Sequence, residues 1–147
     1  MDAVPWSTFA ASAPDIAAHA EVRLGTAPCF LATVRRDGWP RVHPVGPFTL
    51  RDGKLVVTMY PTSPKAHDVR RTGRYALHGP AEDTEGGGGE VLVTGVAIEV
   101  EPTAADVAKG YVCFELFVGE VLATRYDAGD DYRPIRNRWS ATEGVIT

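Results

Sequence analysis

Ile16, Ala20 and Leu24 recur four residues apart, the spacing of one helical face. Pro14 and Asp15 suit a first turn and Gly25 a helix end, so a helix is predicted over residues 12–24. From residue 29 the apolar period falls to two. Residues 29–34 read as a strand, and Asp37-Gly38 as a hairpin turn. A second strand is expected over 39–50, where Pro40, Pro44 and Pro47 favour an edge, a bulge or a bend. Arg51-Asp52-Gly53 turns the chain into a third strand, 54–60, with Leu55, Val57 and Met59 on one face and Val56, Thr58 and Tyr60 on the other. Further strands are expected over 74–79, over 90–101 with a bend at Gly95, and over 112–126 with Phe114, Leu116 and Val118 on one side. One or two helical turns fit 102–109, ending at Gly110. Residues 1–11 read as an irregular arm that docks Trp6 and Phe9, and 127–147 as an irregular polar tail. The acidic, glycine-rich stretch 80–89 is a loop, read either as a cover over a ligand or as a passive hairpin connection. Many short strands with Asp-Gly turns predict one mainly β domain over 1–147, a closed antiparallel barrel with peripheral helices.

Between the third and fourth strands lies the stretch around which the chain is organised, residues 60–73. Ser63 is placed to cap a helix, Pro64 fits its first position, and Gly73 fits a left-handed end. Thr62, Ser63 and Lys65 gather donors at the positive end of this helix, with Arg70 and Arg71 a turn or two further on. This donor set suits a phosphate monoester. The plainer reading is a short surface helix with a solvated basic face.

Composition narrows the partners. The chain has 147 residues, 44% hydrophobic and 23% charged, enough for one sizeable core. A net charge of −4 argues against nucleic acid or an anionic membrane as a partner, so an anion site has to be local. Cys29 and Cys113 sit in apolar strand-like runs and are expected as buried free thiols. The N-terminus lacks a basic segment followed by a long apolar run, and a cytoplasmic location is the expectation. Four scattered histidines without carboxylate spacing do not form a metal motif.

Two segments carry a family resemblance. Leu31-Ala32-Thr33, Asp37-Gly38, Pro40 and Pro44-Val45 keep the spacing of one signature, and Ser63-Pro64-Lys65-Ala66 matches a second at the head of a helix. Together they resemble the pyridoxamine 5′-phosphate oxidase-like split-barrel family of flavin and deazaflavin oxidoreductases. The resemblance implies a six-stranded antiparallel split β-barrel of FMN-binding type and a homodimer with cofactor sites between subunits. It implies FMN, or alternatively the deazaflavin coenzyme F-420, with the phosphate near Thr62, Ser63, Lys65, Ala66, Arg70 and Arg71. The ring would lie against His43, Pro44, Val45, Val57 and Thr58, with His78 able to reach a cleft. The function implied is hydride transfer to or from a small substrate. No catalytic acid or base stands out, because the ring carries the chemistry. Arg136-Asn137-Arg138-Trp139 lacks the Arg-x-His substrate motif of true pyridoxamine phosphate oxidases, so the vitamin B6 reaction is not implied. The alternative is a non-catalytic flavin or tetrapyrrole carrier.

Several residues keep two readings. His43 is either a donor to a ring carbonyl or a strand residue facing solvent. Arg133, Arg136 and Arg138 either reach an anionic group held by a partner subunit or form a solvated basic end. Trp139 reads as an anchor for the tail.

Overall fold

A computed structural model describes residues 1–82, 88–126 and 133–146. The expected loop over 80–89 is therefore covered only at its ends, and residues 127–132 of the expected tail lie outside the described residues. The elements are α1 (Trp6–Ser12), α2 (Pro14–Thr26), β1 (Cys29–Val34), β2 (Pro40–Val45), β3 (Val56–Met59), α3 (Pro64–Thr72), β4 (Arg74–His78), β5 (Gly89–Val100), α4 (Ala104–Ala108), β6 (Val112–Tyr126), β7 (Pro134–Ser140) and β8 (Gly144–Ile146). The chain is mainly β, as the alternation predicts.

The strands form one antiparallel sheet of eight, not a barrel of six. The order is β2-β1-β4-β5-β6-β7-β8, and β3 also pairs with β6. β6 is long enough to hold three partners: β5 along one edge, and on the other β3 at residues 112–115 and β7 at 120–126. Taken round as β2-β1-β4-β5-β6-β3, six strands end on two edges that do not pair among the described residues, so the ring is not closed. The physical reason lies in β2. Pro40 and Pro44 lack the N–H that a further ladder needs. The expected strand over 39–50 also stops at Val45. Gly46 takes φ 76°, and a Cβ there would lie 3.0 Å from the Phe48 ring. The chain then turns inward to bury Phe48, whose N–H donates to Leu24 O at 2.9 Å.

Three further expectations are corrected. The N-terminal arm contains α1, whose Trp6 and Phe9 are buried, and Val4 pairs with Val118. The tail is not irregular throughout, since β7 and β8 extend the sheet. α2 runs past Gly25 to Thr26, and Gly25 has a different use: a Cβ there would sit 3.3 Å from Phe48 O. Trp139 does anchor the tail, with its ring 4.8 Å from Phe9 and its indole N–H donating to Ser12 Oγ at 3.0 Å.

The core lies on one side of the sheet. Leu31, Leu77, Val91 and Val93 are fully buried there, with Leu55, Phe114 and Leu116. α2 and α3 cover this side. Opposite-facing residues, including Phe30, Val42 and Leu92, lie on the outer face with no helix over them. Cys29 and Cys113 are buried free thiols, and burial pushes each up to about 11, which leaves them inert at neutral pH.

Candidate functional site

α3 begins where the sequence places it. Ser63 is extended (φ −68°, ψ 143°) and its Oγ accepts from Ala66 N–H at 3.3 Å. Pro64 has no N–H to satisfy. Gly73 closes the helix at φ 68°, a left-handed conformation that favours glycine. With Ala66 and His67 N–H both turned to Ser63, the Lys65 N–H is the first-turn donor without an acceptor among the described residues. The Lys65 ammonium forms no ion pair among the described residues either. Backbone donor and side-chain cation therefore stand together, uncommitted, at the positive end of the helix.

A strand supplies the rest of this corner. β1 and β2 pair with Thr33 opposite Arg41 and Leu31 opposite His43, so Arg41 and His43 face α3. Asp68, one turn into α3 and 2% exposed, collects three donors. Arg41 Nε reaches its Oδ2 at 2.7 Å, Thr33 Oγ1 the same oxygen at 2.9 Å, and Arg71 Nη2 its Oδ1 at 3.0 Å. Arg71 Nη2 also donates to Val34 O at 2.6 Å. Burial alone would raise Asp68, but the bonds from Arg41, Arg71 and Thr33 outweigh it and hold the carboxyl below its ordinary value. Burial lowers His43, and the charges of Lys65 and Arg41 lower it further against the opposing pull of Asp68. The His43 imidazole is therefore neutral at pH 7. Three cations around one carboxylate leave the corner electropositive in a chain of net charge −4.

The predicted residues divide into groups. Ser63, Lys65 and His43 gather at this corner, while Arg71, in the last turn of α3, meets it only through Asp68. Ala66 is fully buried with its N–H already given to Ser63, while Thr62 is exposed in the turn before the helix. Arg70 points elsewhere: its Nε and Nη2 grip Glu99 at 2.8 and 2.9 Å. Val45 packs against the core, and Pro44 faces the outer side. His78 is also on the outer face, opposite Phe30, with Nδ1 2.6 Å from Gly79 O and Nε2 3.7 Å from Glu90. The fold does not bring it to His43 within one chain.

Val57 and Thr58 line a second feature, a cavity of about 260 Å³ shared by Gly46–Thr49, Arg51 and the open edge of β3. Val57 is buried against Phe114, so its side chain belongs to the core and its backbone to the cleft. Arg51 is held there by Asp106, at 2.8 and 3.3 Å. β2 runs from the cationic corner to this cleft. From His43 to Gly46 is three residues of extended chain, about 10 Å. A larger depression of about 860 Å³ lies away from both, on the outer face among Leu92, Leu122, Arg136, Arg138 and Ile146. Arg41, Arg51 and Asp68 were not singled out from sequence. The period-two spacing of Arg41 and His43 was the available signal for the first. Among the described residues no cluster of His, Cys, Asp or Glu is arranged to hold a metal ion, and no helix is long and apolar enough to cross a membrane.

The fold is that of the pyridoxamine 5′-phosphate oxidase-like proteins. PhzG from Burkholderia lata 383, solved in complex with tetrahydrophenazine-1-carboxylic acid, superposes with a TM-score of 0.63 at 16% identity, over 96% of this chain and 86% of that one. A provisionally named pyridoxamine 5′-phosphate oxidase from Listeria innocua gives 0.58 at 17% identity, over 75% and 95%. A heme binding protein from Mycobacterium smegmatis gives 0.57 at 20% identity, over 81% of this chain and 57% of that one. No protein-family model and no curated protein sequence matches the chain.

Proposed function

We propose that the chain binds a phosphate-bearing flavin or deazaflavin, FMN or F-420, and uses it as an oxidoreductase acting on a small substrate. The carrying observation is the Lys65 N–H and ammonium at the capped start of α3, uncommitted among the described residues, beside Arg41 and neutral His43. A phosphate monoester satisfies all of these donors at once. The cleft one short strand segment away supports a ring site, because the unpaired edge of β3 offers backbone donors and acceptors to a planar heterocycle. The corner and the cleft thus match the two ends of a ring–ribityl–phosphate molecule. When bound, the cofactor would supply hydride transfer; the chain supplies binding, orientation and charge. Ser63 and Lys65 hold the phosphate, and neutral His43 is a hydrogen-bond partner beside it.

The working unit in this reading is a homodimer. Phe30, Val42 and Trp39 are 48%, 62% and 69% exposed on or beside the outer face, an apolar surface that a second copy would cover. A tetrapyrrole carrier is the second reading. It is favoured by the fold shared with a heme binding protein and by the neutral imidazole of His43, which is competent as an iron ligand.

Fluorescence titration with FMN and with F-420, alongside absorbance titration with hemin, separates these readings. Saturable binding of either tricyclic compound, and its turnover with a reductant and an acceptor, is the expected result. Hemin binding alone would replace it with the carrier reading.

A further inference from the structure

Asp68 is an acid buried at the centre of a site proposed to hold an anion. By charge alone it opposes such a ligand. Its geometry suggests why it stands there. An arginine has five N–H donors. Among the described residues Arg41 commits only Nε, to Asp68, leaving the four N–H of its Nη groups uncommitted. Arg71 commits both hydrogens of Nη2, to Asp68 and Val34 O, leaving three without an acceptor among the described residues. Both arginine side chains remain about three-tenths exposed. One carboxylate thus ties β1 through Thr33, β2 through Arg41 and α3 through Arg71, and holds two guanidinium planes that would otherwise swing on long side chains.

We propose that Asp68 is the positioning residue of the anion site, braced by Thr33 and Arg71 and fixing Arg41 with its free donors on the side of Lys65, so that Arg41 and Lys65 grip a phosphate monoester together. This inference rests on the phosphate site proposed above. It makes Arg41 a preorganised fork instead of part of a diffuse cationic patch.

The test turns on the sign of one effect. Asp68→Asn removes a negative charge next to the anion while keeping the side chain's size. If only charge matters, anion affinity rises. If positioning matters, it falls, because the amide can accept from one arginine but presents N–H to the other. The expected result is a Kd for FMN, or for F-420 if that is the ligand, raised about tenfold in folded Asp68→Asn protein. Arg41→Lys is the second variant. It keeps the charge and loses the fork, and a rise of about fivefold is expected. Should Asp68→Asn fail to fold, Arg41→Lys carries the test. Melting temperature is read in parallel, since a merely structural Asp68 would lower it and leave the Kd of folded protein unchanged.

Inorganic phosphate is titrated as a further probe. If the wild type binds FMN or F-420 and both variants bind it equally well or more tightly, the role of Asp68 is overturned and the cofactor reading stands. Binding of inorganic phosphate but neither tricyclic compound, with the variants weakened, upholds Asp68 and overturns the cofactor reading. Binding of none overturns both.

Discussion

Lys65 is the residue on which the phosphate site depends most directly. Its ammonium pairs with no carboxylate among the described residues, so Lys65→Ala should leave the melting temperature nearly unchanged. It should weaken cofactor binding by about 1.5–3 kcal/mol, the scale of a hydrogen bond to a charged group. Isothermal titration checks this, and equal affinity in the folded variant would remove the phosphate argument. A second residue-scale prediction concerns acid. Hydrogen bonds from Arg51, then from Cys113 and Thr103, hold Asp106 below its ordinary value of 3.8, and Asp68 is lowered as well. Both groups bind protons more weakly in the folded state than in the unfolded one. Their stabilisation is therefore complete above the unfolded-state value and is lost as pH falls through 3.8 toward the folded values. Asp106→Asn should melt lower than wild type at pH 7, and the gap should narrow steadily between pH 5 and pH 2. Parallel curves would show that Asp106 contributes no such linkage. The cap, the proline and the terminal glycine of α3 were legible because capping is written within a few residues. Asp68 was not, since its partners Arg41 and Thr33 lie 27 and 35 positions away on strands whose pairing the sequence does not spell out.

At the scale of elements, the period-two runs located β1, β3, β4, β5 and β6 to within a few residues, because each buries one face on the core, β6 being buried on both faces over residues 113–116. β7 escaped for a physical reason. Of its seven residues only Trp139 is buried, and the rest of Pro134–Ser140 reads as polar tail. What makes it a strand is the second edge of β6, a long-range fact. The same holds for α1, a seven-residue helix with no side-chain cap that is held by Phe9 and Trp6 in the core. The packing of Phe9 against Trp139 therefore joins two elements that sequence reading left irregular. Trp139→Ala should cost about 3–5 kcal/mol through the cavity it leaves, with a further loss from the Ser12 hydroxyl it bonds. Chemical denaturation measures this. A cost under about 1 kcal/mol would mean that the tail strands are dispensable to the core.

The whole molecule presents an outer sheet face with aromatic and aliphatic groups in contact with water. Phe30→Glu places a charge in the middle of that face without touching the core, since Phe30 is half exposed and paired with Pro44 and His78. Sedimentation should find twice the chain mass for wild type and the single chain mass for Phe30→Glu. A cofactor site shared between subunits would lose affinity in the same variant, whereas a monomeric wild type would end the dimer reading. The alternation exposed this face in the sequence, but not whether helices covered one side or both. The contact of α1 with β7 has a different consequence, in time. Ser12 and the indole of Trp139 are 127 positions apart, and β6 cannot fill its second edge until β7 exists. A nascent chain leaving the ribosome therefore carries Phe9 without its partner Trp139 until β7 is made. α1 waits for β7, and a chain cut short near residue 130 would keep both an open strand edge and an unclaimed aromatic ring, the ingredients of aggregation.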